Sequence, residues 1–223
     1  MKIILNNIGK RFNTEWIFKG MSYEFESGNS YAVLGANGSG KSTLLQVIAG
    51  SMTVSEGDVK YESQDTGIKT YNLQLTTPDS IFQHLTIAAP YLELFEEHTL
   101  KEAIEFHSKF KKFFSNFSTE NIIYLLGMKR SKDKQLKNFS SGMKQRVKLA
   151  LAILSDVPIL LLDEPCSNLD AEGVEWYQKL IKDHSKNRLI IVCSNQQKGE
   201  YGFCNKEIVI FTFSYQPSDR LLF

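Results

Sequence analysis

Cysteine is scarce, charge of one sign is lacking, and no apolar run is long. The three cysteines, Cys166, Cys193 and Cys204, are scattered, form no CxxC pair and have no histidine at zinc-site spacing. That excludes a disulfide framework or a structural zinc site and reads as reduced thiols in a cytosolic protein. Lysine and arginine number 26 against 25 acidic residues, a formal charge of +1. Nothing global therefore attracts nucleic acid or anionic lipid. The longest apolar stretches, such as Ile159 to Leu162, fall far below the ~20 residues of a membrane span. The opening MKIILNNIGKR has three consecutive apolar residues before Asn6, too few for a secretory signal. Histidines 84, 98, 107 and 184 do not cluster in sequence, and neither an internal repeat nor a low-complexity linker is present.

What is there looks like an ordinary globular chain. The 223 residues are 42% apolar and 23% charged, which fits one domain or a core carrying one sizeable insertion. Residues 2–34 read as strands: Met21, Tyr23 and Phe25 alternate with Ser22, Glu24 and Glu26, and Gly28-Asn29 forms a turn before Tyr31 to Leu34. A helix over 42–49 is stopped by Gly50, and short β-like pieces follow over 57–89, punctuated by Gly57, Gly67 and Pro78. From about Pro90 to Leu154 the pattern is helical. Thr99 with Glu102 forms a capping box, and Leu100, Ala103, Ile104 and His107 share a face. Ser118 caps a helix ended by Gly127, and Met143, Val147, Ala150, Leu151 and Leu154 mark a third. The run ILLL before Asp163-Glu164 suits a strand covered on both faces. A helix over 173–182 and strands over 189–193 and 208–213 complete an α/β pattern with a helical insertion.

One segment carries chemistry by itself. Gly35-Ala36-Asn37-Gly38-Ser39-Gly40-Lys41-Ser42 fits G-x-x-x-x-G-K-[ST] between a strand and a helix, with Thr43 next in the same site. Glycines let successive backbone N–H groups converge on phosphate oxygens, and the helix N-terminus adds partial positive charge. Lys41 is expected to reach the β- and γ-phosphates and Ser42 to ligate Mg²⁺. Asp163, ending a buried strand, is the second expected metal-holding residue, and Glu164 is placed to polarise the attacking water as general base.

This order of motifs resembles the nucleotide-binding subunit of ATP-binding-cassette (ABC) transporters, over nearly the whole chain. The glycine loop matches the family's Walker A, ILLLDEP its Walker B, Phe139 to Arg146 (FSSGMKQR) its LSGGQxQR signature, and Ser167 to Asp170 its D-loop. The resemblance implies a P-loop NTPase (RecA-like) core with an antiparallel β subdomain and an inserted α-helical subdomain. The core and β subdomain would take 1–89 and 155–223, the helical subdomain 90–154, all one ATPase domain spanning 1–223. It also implies ATP and Mg²⁺ as ligands and Phe12 stacking on adenine. Ser140 and Gly142 would touch the γ-phosphate bound to an opposite chain, and Asp170 would join the site from the D-loop. The implied partners are a second cassette, identical or related, and a separate integral membrane subunit that the helical subdomain meets at the cytoplasmic face of the inner membrane. The LELFEEHTLKE segment looks more like exporters than importers.

Three departures from the family pattern stand out. FSSGM replaces LSGGQ. Ala89-Pro90 falls where a metal-sensing glutamine is expected, with Gln83 too far upstream. VCSNQ places Ser194, with Asn195 next, where the switch histidine belongs, and either could return a hydrogen bond to phosphate. Losing one positioned donor in such a site removes on the order of a few kcal/mol of transition-state stabilisation, so hydrolysis is expected to be modest. Two other readings stay open: a soluble ABC-type ATPase acting on nucleic acid or ribosomes, and a regulatory subunit that binds ATP with little turnover. The chain carries neither the long heptad insertion nor the second tandem cassette of the former. The basic stretch Lys129, Arg130, Lys132, Lys134 and Lys137 reads as a solvated loop, so nucleic acid is not an expected partner. Phe106, Phe110, Phe113, Phe114 and Phe117 read as helical core or a groove for a partner helix.

Overall fold

The computed structural model describes residues 1–62 and 81–210. The chain runs β1 (Lys2–Phe12), β2 (Glu15–Glu26), β3 (Ser30–Leu34), α1 (Lys41–Ile48), β4 (Glu56–Glu62), α2 (Ile81–His84), β5 (Leu85–Ala88) and α3 (Leu100–Phe110). It continues through α4 (Thr119–Leu125), α5 (Ser141–Leu154), β6 (Ile159–Asp163), α6 (Ala171–His184), β7 (Leu189–Ser194), α7 (Lys198–Tyr201) and β8 (Lys206–Val209). Two sheets result. One is antiparallel, ordered β2-β1-β4; the other is parallel, ordered β5-β6-β7-β3-β8. This is the α/β architecture that the sequence implies, with an antiparallel sheet beside a parallel core.

The parallel strands read as continuous apolar runs because both of their faces are covered. Every residue of β6 and β7 is buried. Side chains alternate across a strand, so Leu160, Leu162, Ile190 and Val192 enter the core formed with α3 to α6. Ile159, Leu161, Leu189, Ile191 and Cys193 enter a second core with α1 and the antiparallel sheet. That parity decides which strand-end residue faces which layer.

Local signals place the helices. Thr99 caps α3 as a full capping box with Glu102, and Ser118 caps α4 by accepting the Asn121 N–H. Gly50 and Gly127, at φ 75° and 69°, follow α1 and α4. Helix α6 exceeds its predicted span by two residues at each end, because Asp170 caps it and its last turn carries Lys182 and His184. The basic stretch 129–137 is exposed at all five basic positions. Among the described residues no helix is long and apolar enough to cross a membrane.

Two expectations fail. The last strand is β8 at Lys206–Val209 rather than 208–213, since pairing with β3 starts at Tyr31↔Lys206 and the edge position tolerates exposed Lys206 and Glu207. Residues 211–213, like Gly67 and Pro78, lie outside the described residues. The phenylalanines do not share one helix either. Helix α3 ends at Phe110, after which Phe113 bridges Ser155, the Phe114 N–H donates to Leu154, and Asp156 donates to Lys112. Backbone pairing with the end of α5 thus captures 112–114 in an extended path. Phe110 is left exposed, and Phe113 and Phe117 pack against the core.

His107, on α3, couples stability to pH. Its Nε2 lies 2.8 Å from the Ser155 hydroxyl and its ring stacks on Phe113. Burial, aided by the Lys111 charge, lowers its pKa to about 4. The unfolded chain therefore binds the extra proton first as pH falls. The stabilisation present above pH ~6.5 is lost progressively down to pH ~4, ~3 kcal/mol at most for this one group. Thermal melts of the wild type should show a falling Tm across that window, and His107→Gln should flatten the slope.

Candidate functional site

The phosphate loop is shaped by backbone geometry that only its own residues permit. β3 delivers Gly35 at the end of a buried strand, and α1 begins at Lys41. Gly40 sits at φ 94°, and a Cβ built there would lie 2.6 Å from Ile17 Cγ2 on β2. Left-handed backbone and contact with the neighbouring sheet both demand glycine. The Lys41 ammonium folds back to donate to the Gly35 and Ala36 carbonyls, each at 2.9 Å. The loop thereby closes on a cation. Ser39 is 2% exposed, and its Oγ has no partner.

The acidic pair meets this loop at the end of β6. Asp163 has the parity of Ile159 and Leu161, so it faces the α1 layer, where it touches the Ser42 hydroxyl. It is 1% exposed and its Oδ1 is unpartnered. Burial raises its pKa, the Ser42 hydrogen bond opposes that rise, and the Glu164 charge adds to it. A buried carboxylate oxygen without a partner, next to a hydroxyl and a lysine, fits a hard cation that takes oxygen ligands. Glu164 departs from the strand at φ 43°, its N–H donating to the Cys193 carbonyl at 2.9 Å. A cleft of about 330 Å³ lies between the two elements, lined by Ile17, Asn37, Gly38, Gly40, Lys41, Ser42, Thr43 and Glu164. Ile17 was not legible in sequence, because nothing local marks a β2 residue as neighbour to the loop.

The remaining sequence candidates lie elsewhere. Ser140 is exposed as the N-cap of α5, accepting from the Met143 N–H at 3.2 Å. A Cβ on Gly142 would lie 2.8 Å from the Asn168 carbonyl, so the signature packs on the D-loop. Neither residue lines the cleft of its own chain. Asp170 caps α6 through Oδ1, which accepts from the Gly173 N–H at 2.8 Å. Phe12, 46% exposed, ends β1 near the β1–β2 turn with the Lys10 Nζ 5.2 Å from its ring centroid. Gln145, unflagged by sequence, donates from a buried position on α5 to the Pro165 carbonyl at 2.9 Å and joins the signature helix to the end of the acidic strand.

Ser194 is turned away from the loop in this structure. Ser194 shares its parity with Ile190 and Val192, so it points away from the phosphate loop, while Cys193 faces it and donates its thiol to the Lys41 carbonyl at 3.5 Å. The Ser194 hydroxyl is fully buried, donates to Glu200 Oε2 and accepts the Gln197 N–H. Asn195, the next residue, is exposed. Ala89 and Pro90 directly follow β5, whose last pair with β6 is Ala88↔Leu162, and Ala89 is 1% exposed. Gln83 lies on α2, at the opposite end of β5. Tyr91 instead approaches the site: its phenol interacts with Gln46 and the Asp163 charge, and burial and that charge keep it protonated.

Residues 18–167 match the family described as ABC transporter. The chain is 26% identical over 218 residues to the ABC transporter ATP-binding protein YybJ of Bacillus subtilis, covering 97% of this chain and 96% of that protein. It is 31% identical over 202 residues to the phosphonates import ATP-binding protein PhnC 2 of Oceanobacillus iheyensis, covering 85% of this chain and 77% of that one. In structure it is similar to the dimeric ABC transporter cassette MJ0796, with a TM-score of 0.75 at 22% identity over 93% of this chain and 94% of that one.

Gly38 and Gly40 provide a controlled comparison. Both have positive φ, but a Cβ on Gly38 meets nothing within 4 Å. Gly38→Ala should lose about 1 kcal/mol of stability through backbone strain, and Gly40→Ala about 1–3 kcal/mol through strain plus the Ile17 clash. Denaturant melts of the two variants should rank them in that order.

Proposed function

Because the chain belongs to the ABC transporter family, we propose that it binds and hydrolyses ATP to drive a separate membrane-spanning subunit. The observation that carries the reading is the cleft itself: a lysine-closed glycine loop, the hydroxyl of Ser42 and the Asp163–Glu164 pair meet at one point. Backbone N–H groups of residues 35–42 would receive the phosphate oxygens, and Lys41 would exchange its two carbonyl partners for them. Ser42 and the free Asp163 oxygen would hold Mg²⁺, which supplies neutralisation of charge on the β- and γ-phosphates. Glu164, which lines the cleft, would orient and deprotonate the water that attacks the γ-phosphate.

The exposed position of Ser140, and the absence of Ser140 and Gly142 from the lining of their own chain's cleft, support completion of the site by a second cassette, the γ-phosphate of one chain meeting the signature of the other. Phe12 would stack on the adenine, and Asp170 would hold the D-loop against the partner by capping α6. We assign residues 90–154 to the helical subdomain, and the membrane subunit to its exposed apolar surface. Phe95 and Phe110 flank Phe106 there with ring centroids 5.3 and 5.0 Å apart, and Phe95 and Phe110 are exposed. That docking would place the chain at the cytoplasmic face of the membrane. Cargo and direction belong to the membrane chain. The nearly balanced charge gives no support to action on nucleic acid.

A second reading, a regulatory cassette with little turnover, is favoured by one observation. The strand-end positions expected to sense the γ-phosphate carry a buried Ala89 and an inward-turned Ser194. The two readings part in one assay. Under the hydrolytic reading, Glu164→Gln should retain ATP affinity within a few-fold while steady-state phosphate release falls by about 100-fold or more. A wild type that releases phosphate no faster than Glu164→Gln would favour the regulatory reading.

A further inference from the structure

Glu200 is a carboxyl 1% exposed that no step above uses. It lies on α7, outside the cleft, yet it ties together the two segments that leave the parallel sheet at the site. Its Oε1 accepts the Cys166 N–H at 3.2 Å, two residues beyond Glu164. Its Oε2 accepts the Ser194 hydroxyl at the end of β7, and that hydroxyl in turn accepts the Gln197 N–H at 3.2 Å. Its backbone carbonyl accepts the hydroxyl of Tyr177, fully buried on α6, at 2.8 Å. One side chain therefore spans the exits of β6 and β7, while the backbone of the same residue is held to the helix that follows the D-loop.

The geometry around it is over-determined. Glu164 hangs between its own N–H donation to Cys193 and the Ser167 N–H that donates to its carbonyl. Cys193 is adjacent to Ser194, and Cys166 is adjacent to Ser167. The Glu200 carboxyl closes a ring whose other members hold the backbone of Glu164 at φ 43°, a left-handed value that a non-glycine residue keeps only when its surroundings enforce it. Isolated burial of a carboxyl would be unfavourable, but here both oxygens have donors.

We propose that Glu200 is a positioning residue for hydrolysis, locking the β7 terminus to the start of the D-loop so that the Glu164 carboxylate is held at one angle toward the cleft. The hydroxyl of Ser194 is its partner in this lock rather than a phosphate ligand. This inference rests on the ATPase reading and adds to it a residue that touches neither nucleotide nor metal.

The test is a double-mutant cycle on kcat, with nucleotide affinity and Tm measured for each protein. Glu200→Gln keeps the shape and can still accept the Cys166 N–H, but it turns an amide N–H₂ group or a weaker acceptor toward Ser194. Ser194→Ala removes the link from the other end. Each should lower kcat by about tenfold, the low end of what hydrogen bonds supporting a catalytic group contribute, with ATP affinity unchanged within twofold. Because both changes break the same link, the double variant should also fall by about tenfold rather than the hundredfold of independent effects. Glu200→Asp, a carboxylate one methylene short, should not restore the rate. Unchanged kcat in the single variants, additive losses in the double, or affinity falling in parallel with kcat would overturn the proposal. A wild type that binds ATP but never turns it over would overturn the ATPase reading, and this inference with it. Wild-type turnover abolished by Glu164→Gln but indifferent to Glu200→Gln overturns this inference alone.

Discussion

The closure of residues 35–41 around the Lys41 ammonium is what the site is built upon. Two carbonyl oxygens at 2.9 Å hold the lysine against the loop, and the loop can take that path only because Gly38 and Gly40 accept left-handed backbone angles. Gly40 also lets β2 press Ile17 against the loop, so the antiparallel sheet and the parallel core meet at the glycine loop. The buried Asp163 Oδ1, beside the Ser42 hydroxyl, has no hydrogen-bond partner, a polar group that a ligand could satisfy. A magnesium triphosphate has the oxygens and the charge to do so.

Alternation along two adjacent strands distributes the chemistry. Asp163 and Cys193 pair in register and face the loop, whereas Ser194, one residue on, turns into the layer of α6 and α7. A one-residue change in parity thus separates side chains that face the glycine loop from one that is bonded to Glu200 behind it. Buried Ala89 directly follows β5, one residue beyond the Ala88↔Leu162 pair. Among the described groups near that strand end, Tyr91 presents a protonated phenol to the Asp163 side of the site.

Much of this was legible in the sequence, for local reasons. A glycine loop, a lysine and a hydroxyl at fixed offsets specify a backbone shape, and caps at Thr99 and Ser118 report their helices within three residues. The long-range features were not legible. The lock through Glu200, the Gln145 bond to Pro165 and the Ile17 contact each join residues from 6 to about 35 positions apart through pairings that no window of sequence reveals. The β8 boundary was misplaced because hydrophobicity marked 208–213 while register with β3 set Lys206 as the first pair. The phenylalanine run was misread because its helical spacing continued past Phe110, where pairing with the end of α5 pulled the backbone out of the helix.

The most direct measurement is calorimetric titration of the protein with ATP in the presence of magnesium, repeated on Lys41→Ala. The account predicts one saturable site per chain for the unaltered protein, magnesium-dependent heat, and an affinity at least tenfold weaker once the lysine is gone. No saturable binding, or equal affinity in the two proteins, would contradict it.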